Sequence, residues 1–223
     1  MSGCAHPPTA SPSLPPHHRT PPPEEAMTAV SDRRAKTDAP IHDLLAERWS
    51  PRSFDPRGEV DETQLASLLE AARWAPSWMN TQPRRFIVAR RGTAEFDAIV
   101  ERLAPFNATW AAQAPVLVVT VAELRDADGE DVAAPDYDLG QAVAHLTVQA
   151  HALGLHVRQM GGIDGPALAE RFGVPDRFRV TTVVAIGRYA SAEVDVDPSL
   201  RDRDAAARSR KPLAELVNPS DWS

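Results

Sequence analysis

The stretch Pro115-Val-Leu-Val-Val-Thr-Val-Ala122 organises the fold of this chain. A short continuous apolar run that is rich in β-branched residues predicts a strand buried on both faces. Thr181–Arg188 has the same character and predicts a second buried strand, while Phe86–Ala89 predicts a shorter one. The longest apolar run, Ala114–Ala122, is far too short to cross a bilayer. We therefore expect a sheet at the centre of a soluble domain.

Helical periodicity appears on both sides of these strands. Asp61 and Gln64 form a capping box at one helix start, Asp138 is expected to cap the longest helix, and Gly154 is expected to end it. Asp38 or Thr37 is expected to cap the first helix. The predicted helices cover residues 41–48, 61–72, 95–103, 138–153 and 166–172, with the segment from Ser191 left irregular. Together with the strands, they predict an α+β or mixed α/β domain.

Composition limits the possible functions. Hydrophobic residues make up 43% of the 223 residues and charged residues 25%, a balance typical of one globular domain. The net charge of -7 disfavours nucleic-acid binding, which requires a basic surface. Cys4 is the single cysteine, so an intrachain disulfide and a cysteine-based metal site are excluded. With no secretory signal pattern, we expect a cytoplasmic protein without a metal site or a membrane partner.

The N-terminal residues differ in composition from the rest. Residues 1–38 are rich in Pro, Ser, Thr and His, and a segment with so little apolar surface is predicted to be disordered. His6, His17 and His18 are alternatively a metal-binding tract. Met27 is a second plausible translation start. The folded domain is then expected to cover residues 39–223.

Three polar stretches suggest chemistry. Arg48–Phe54 places two arginines and Ser50 within five residues, an arrangement that can hold a phosphate, although a solvated basic turn has the same composition. Ala75–Pro83 presents amides and hydroxyls between prolines, which suits heterocycle recognition or a rigid connector. Arg208–Pro212 is a cationic group in an acidic protein, and in isolation it is also typical of a solvated terminus.

Taken in order, these motifs resemble the nitroreductase family. That family has an N-terminal Arg-x-Ser-x-Arg, a Pro-Ser-x-x-Asn-x-Gln-Pro loop, an Asp-x-Gly at the start of a long helix, a Gly-Gly turn and a terminal Arg/Lys-x-Arg. The resemblance covers about residues 40–218. It implies an α+β fold with a mixed, mainly antiparallel sheet, a homodimer, and one FMN at each subunit boundary. The matching positions here are Arg48–Arg52, Pro76–Pro83, Asp138–Gly140, Gly161–Gly162 and Arg208–Arg210.

The same resemblance implies roles for individual residues. Arg48, Arg208 and Arg210 would bind the FMN phosphate, and Trp49 with Ser50 the ribityl chain. Arg52 and Asn107 would face the pyrimidine edge of the flavin, and the backbone of Gly161 and Gly162 would lie near flavin N5. The loop that contains Gln82 would contact the flavin of the other subunit. Its implied contacts are Pro76, Ser77, Trp78 and Asn80.

Three positions depart from the family pattern. Trp78 stands where the family often has a small residue, Arg84 where an aromatic residue is common, and His145 where many members have Asn. Trp78 is expected to narrow the flavin pocket and Arg84 to alter what docks above it. His145 and His151 are interpreted as core or interface histidines, and no side chain is assigned as a catalytic acid or base.

The implied function is an FMN-dependent oxidoreductase that uses NAD(P)H to reduce nitroaromatics, quinones or related conjugated acceptors by a ping-pong mechanism. The chain has no Gly-x-Gly-x-x-Gly turn after a strand, so the nicotinamide donor has no Rossmann site of its own. Alternatives are a flavin-storing protein and a flavin-destroying or dehalogenating branch of the superfamily. A helical interaction module without flavin is a third alternative.

Overall fold

A four-stranded antiparallel sheet forms the centre of the computed structural model, which describes residues 33–218. The strands lie in the order β1-β2-β4-β3, and all three pairings are antiparallel. The α+β prediction is confirmed, and the sheet within the described residues is antiparallel rather than mixed. The strands are β1 (Arg84–Arg90), β2 (Val116–Glu123), β3 (His156–Met160) and β4 (Phe178–Gly187).

The five predicted helices form, and three further helices accompany them. The segment after Ser191 is not irregular, because Asp197 caps a helix that has Pro198 in its first turn. A short 3₁₀ turn covers Trp78–Asn80. The helices are α1 (Asp43–Glu47), α2 (Glu62–Arg73), α3 (Ala94–Val100), α4 (Pro105–Ala111), α5 (Pro135–Ala152), α6 (Gly165–Phe172), α7 (Pro198–Ala205) and α8 (Leu213–Leu216). No helix in residues 33–218 is long and apolar enough to span a membrane.

Strand β2 is buried along its whole length, as its sequence predicts. Leu117 and Val119 belong to a cluster that includes Trp110 of α4, whereas Val116 and Val118 belong to the cluster on the opposite face. Continuous apolar strands are most typical of parallel sheets, which have helices on both faces. Here the same pattern arises in an antiparallel sheet because helices also cover both of its faces.

Helix α5 supplies one of those layers. Small and apolar residues lie on several sides of its sequence, which is typical of either a core helix or a helix at a subunit interface. Ala142 and Leu146 are buried in the subunit's own core, so these two positions belong to the core and not to an interface. Asp138 is not its N-cap, because the helix begins at Pro135, after Ala134 in the left-handed region. Gly154 ends the helix with φ of +71°, as predicted.

The start of the domain also differs from expectation. The N-cap of α1 is His42, whose ring nitrogen accepts the Leu44 N–H, and not Asp38 or Thr37. Residues 1–32 lie outside the described residues, and with them most of the predicted tail and its histidine tract. Residues 33–38 make specific contacts with the domain, such as the hydrogen bond from the Ala35 N–H to the Ala46 carbonyl at 2.9 Å.

Candidate functional site

The loop Arg48–Ser53 follows α1 and is fixed by a buried carboxylate. Asp204 of α7 is 3% exposed, and both of its oxygens lie 2.9 Å from the Arg52 amide nitrogen. One of them also accepts the Ser53 N–H at 2.8 Å. Charged acceptors form the stronger hydrogen bonds in proteins. Asp204 therefore sets the backbone from which Arg52 projects.

The other side of this loop packs against the ends of strands β3 and β4. The Arg158 guanidinium on β3 donates to the Ser50 carbonyl at 2.5 Å. Trp49 is 6% exposed, and its ring makes edge contacts with Tyr189 at 5.0 Å and His156 at 5.6 Å between ring centroids. The loop is thus held on both sides, while Arg48 and Ser50 remain partly exposed.

Arg48, Arg208 and Arg210 come together as predicted, at the end of α1. Arg208 donates to the carbonyls of Ala46 and Arg48 at 2.9 Å each, and Arg48 donates to the Ser50 hydroxyl at 3.2 Å. Burial lowers the pKa of the Arg48 guanidinium, and the neighbouring charge of Arg210 lowers it further. Within residues 33–218, none of the ion pairs involves any of these three arginines. A group of cations without paired carboxylates produces a positive potential that attracts anions.

A second group of predicted residues meets near the Gly161–Gly162 turn. The Asn107 side-chain amide donates to the Gly162 carbonyl at 3.4 Å. A Cβ on Gly162 would lie 3.1 Å from that amide nitrogen and 3.2 Å from the Ala104 Cβ, whereas one on Gly161 would meet open space. Close packing against the start of α4 therefore favours glycine at 162.

Phe106 links this group to the arginine loop. The centroid of its half-exposed ring lies 5.7 Å from the guanidinium carbon of Arg52 and 4.8 Å from that of Arg203. Cations over an aromatic face are attracted by its quadrupole. Arg52 and Asn107 are consequently placed on neighbouring parts of one surface.

The loop 76–83 has an unusual backbone. Met79, Asn80 and Gln82 all have positive φ, at 44°, 60° and 51°. The Asp138 carboxylate accepts the Trp78 N–H at 2.8 Å, and the Ser77 hydroxyl accepts the Gln82 N–H at 3.0 Å. Left-handed conformations of non-glycine residues cluster at functional sites when their surroundings enforce them. Asp138, predicted as a helix cap, instead enforces this loop.

Loop 76–83 is separate from the other predicted site residues within one subunit. Across residues 33–218, no hydrogen bond, ion pair or ring contact joins loop 76–83 to the Arg48 or Arg208 segments. Trp78 and Met79 point their apolar surface outward, with 58% and 86% exposed. The prediction for Arg84 is wrong, because its buried guanidinium donates to the Arg73 and Ala75 carbonyls at the end of α2.

Comparison with known proteins identifies the chain. The sequence model of the nitroreductase family matches residues 45–108 and 93–188. The chain belongs to the nitroreductase family. The matched ranges contain the Arg48–Ser53 loop, loop 76–83, Asn107 and the Gly161–Gly162 turn of this chain. Asp204, Arg208, Arg210 and Arg33 lie outside them.

Relatives and solved structures agree with this assignment. A Mycolicibacterium smegmatis protein named "Uncharacterized 15.4 kDa protein in ask 5'region" is 34% identical over 152 residues, which cover 62% of this nitroreductase and 97% of the relative. The Bacillus subtilis protein named "Putative NAD(P)H nitroreductase YdgI" is 25% identical over 197 residues, covering 70% and 93%. A crystal structure described as an oxidoreductase containing FMN has a TM-score of 0.76 at 33% identity and covers 84% of this chain and 96% of its own.

Sequence reasoning missed several residues that shape the candidate site. Asp204 lies in the segment predicted to be irregular, although Leu200 and Asp204 are both buried at i, i+4 spacing on α7. The Asp197-Pro198 pair before them was the available helix signal. Arg158 gave no sequence signal of its contact with the loop, because an arginine inside a short strand is ordinarily interpreted as solvent-exposed.

Proposed function

We propose that this nitroreductase binds FMN and catalyses NAD(P)H-dependent reduction of conjugated acceptors. The observation that carries the proposal is the cluster of Arg48, Arg208 and Arg210 beside Ser50, for which residues 33–218 supply no carboxylate partner. The resemblance of the fold to an FMN-containing oxidoreductase supports the same assignment. The residues present therefore suit a flavin carrying a phosphate.

Within this cluster the arginines have different tasks. Arg208 uses most of its donors on main-chain carbonyls, including that of Arg33, and so stabilises the shape of the loop. Arg48 and Arg210 keep donors available for a phosphate that carries between one and a half and two negative charges, about the charge of a phosphomonoester at neutral pH. We assign Arg48, Arg210 and the Ser50 hydroxyl as phosphate ligands, with Trp49 packing behind them.

The flavin ring would lie toward Arg52, Asn107 and the Gly161–Gly162 turn. Arg52 is placed to favour negative charge at the pyrimidine edge, where electron density accumulates on reduction. The open space around Gly161 lets a planar ring approach the backbone closely. When bound, FMN supplies the two-electron chemistry between reduced nicotinamide and acceptor, so the protein contributes position and charge and needs no catalytic acid or base.

We further propose a ping-pong order with nitroaromatics or quinones as acceptors. One binding face would serve donor and acceptor in turn, because the chain has no dinucleotide motif of its own. Double-reciprocal plots at several acceptor concentrations should then give parallel lines. Intersecting lines would show that donor and acceptor bind together, and would contradict this order without affecting the proposal for FMN.

The homodimer is proposed from surfaces that one subunit leaves open. Tyr137, Gly140 and Ala144 lie on the exposed face of α5, opposite its core residues, and no atom lies within 4 Å of a Cβ placed on Gly140. Trp78 and Met79 add a large exposed apolar area in loop 76–83, which is joined to α5 by the hydrogen bond from the Trp78 N–H to Asp138. Such patches are typical of interfaces. We propose that this face meets a second subunit and that Pro76, Ser77, Trp78, Asn80 and Gln82 complete the partner's flavin site.

Ala144→Asp tests the dimer, because it adds a charge to the exposed face of α5 and leaves the core intact. We expect a folded monomer with less than about a tenth of the FMN content, since an unpaired charge in a desolvated contact is strongly disfavoured. Sedimentation and flavin absorbance on the same sample measure both. A monomer that keeps its full FMN content would favour a site formed by one subunit.

The visible spectrum of the purified protein tests the central proposal. A yellow protein with flavin absorbance that bleaches on anaerobic addition of NADPH or NADH, and recovers with a quinone, supports the reductase. A yellow protein that no nicotinamide bleaches favours the flavin-storing alternative. A colourless protein that takes up no added FMN overturns the proposal and favours an interaction module. Location in the cytoplasm stays a prediction.

A further inference from the structure

Residues 33–38 form a short N-terminal strap, which lies between α1 and the C-terminal segment. The Arg34 guanidinium pairs with Asp43 and Glu47 of α1, at 2.5 and 2.9 Å. At the other end, the Asp38 carboxylate accepts the Leu213 N–H at 3.0 Å. The strap therefore lies directly behind the loop to which the flavin phosphate is assigned, although it precedes the first residue matched by the family model.

Arg33 is the strap residue closest to that loop. Its guanidinium carbon lies 4.1 Å from the centroid of the Trp49 ring, and one terminal nitrogen donates to the Ala206 carbonyl at 3.3 Å. Its own carbonyl accepts a hydrogen bond from Arg208. Arg33 thus contacts both a residue of the phosphate loop and the segment that carries Arg208 and Arg210.

Arg33 has no carboxylate partner among residues 33–218. In the part of the chain that the structure describes, its Nε is buried without a hydrogen-bond partner. Burial lowers the pKa of the Arg208 guanidinium, and the charges of Arg48, Arg210 and Arg33 lower it further. Arg33 is therefore near enough to raise the positive potential at Arg208.

We propose that Arg33 is a further recognition residue for the flavin phosphate, acting through its charge and by holding Trp49 and Arg208 in place. This inference rests on the proposed binding of FMN. Within residues 33–218 these four guanidinium groups have no paired carboxylate. They repel one another, and a phosphate dianion would reduce that repulsion. Because coupling between two sites is reciprocal, a bound phosphate would in turn stabilise the docked strap.

Riboflavin provides the decisive comparison, because it has the ring and ribityl chain of FMN and lacks the phosphate. We would titrate full-length apoprotein with FMN and with riboflavin, in the wild type and in Arg33→Ala, Arg33→Lys and Arg171→Ala. Arg171 lies on the exposed surface of α6 and serves as a charge-matched control. We expect Arg33→Ala to weaken FMN about tenfold, as for one charge-assisted contact, and to change riboflavin affinity less than twofold.

Two further results should accompany that one. Arg33→Lys should recover most of the FMN affinity, and the difference between wild type and Arg33→Ala should shrink in high salt, because the charge effect is screened. Arg171→Ala should behave as wild type. Thermal melting of each apoprotein confirms that the variants are folded.

Three outcomes would overturn the inference. Unchanged FMN affinity in Arg33→Ala shows that the residue does not sense the phosphate. Equal weakening of FMN and riboflavin, not recovered by lysine, shows a purely structural role. Wild-type apoprotein that binds neither flavin overturns the proposed function and this inference with it, a result distinct from the first two because no variant is needed to see it.

Discussion

Strand β2 lies between two layers of aliphatic side chains, whereas the loop Arg48–Ser53 is held by charged side chains from distant parts of the chain. In β2, the aliphatic side chains pack into apolar clusters on both faces of the sheet. Around the loop, Arg158, Asp204 and Arg208 satisfy backbone groups, and the remaining cations face one another. The core thus depends on apolar packing, while Arg48, Arg208 and Arg210 beside the loop form no ion pair within residues 33–218.

The strongest test of this contrast is Leu146→Asp. Leu146 is 1% exposed in the core cluster beneath α5, so the variant buries an unpaired charge and loses its packing. We expect a loss of at least about 4 kcal/mol in the free energy of unfolding, measured by urea denaturation, which is a large part of a typical domain's stability. A Leu146→Asp protein as stable as Ala144→Asp, two positions away on the exposed face, would show that this core is not formed.

Arg210→Ala tests the other half of the comparison. FMN affinity should fall about ten- to a hundredfold, or about 1.5–3 kcal/mol, because a charge-assisted contact to the phosphate is lost. The unfolding free energy of the apoprotein should stay the same or rise, because one of the mutually repelling cations is removed. Isothermal titration and urea denaturation measure the two effects. Unchanged FMN affinity would show that Arg210 is only solvated charge.

His156 of β3, whose ring contacts Trp49 of the loop, allows a smaller effect on stability to be measured. Burial lowers the pKa of His156 to about 3, and the charges of His151 and Arg48 act in the same direction. The folded protein keeps His156 neutral, whereas the unfolded chain protonates it near pH 6.5. Its contribution to stability is therefore lost as pH falls below 6.5.

The corresponding variant is His156→Gln, which cannot titrate. Between pH 7 and pH 5, the unfolding free energy of the wild type should fall by about 1–2 kcal/mol more than that of the variant. Urea denaturation at the two pH values measures it. Parallel pH profiles for the two proteins would show that His156 titrates normally in the folded state.

Removing residues 1–26 should have the smallest effect. A segment so rich in proline and polar residues is predicted to add no core burial, and Arg33 with the rest of the strap is retained. Flavin content, NAD(P)H oxidation and melting temperature should match those of the full chain. A truncated protein that loses flavin would place these residues at the site.

The two regions also differ in how far the sequence predicted them. The strand β2, the start of α2 and the end of α5 follow from local patterns, because apolar periodicity, Asp61 and Gly154 act within a few residues. The role of Asp204 could not be predicted, because it depends on a contact between positions 152 residues apart. Asp138 was wrongly predicted to cap α5 for the same reason, because its partner Trp78 lies 60 residues earlier.

The carboxylate of Asp204 has a consequence for the order in which the protein becomes functional during its synthesis. All four strands lie before residue 188, so the ribosome completes the sheet's components well before it adds Asp204, Arg208 and Arg210. Domains generally begin to fold while translation continues. The loop Arg48–Ser53 is made early, yet it must wait for almost the whole chain before its backbone is fixed. The phosphate site proposed for this loop is thus completed only after the strands of the core have been made.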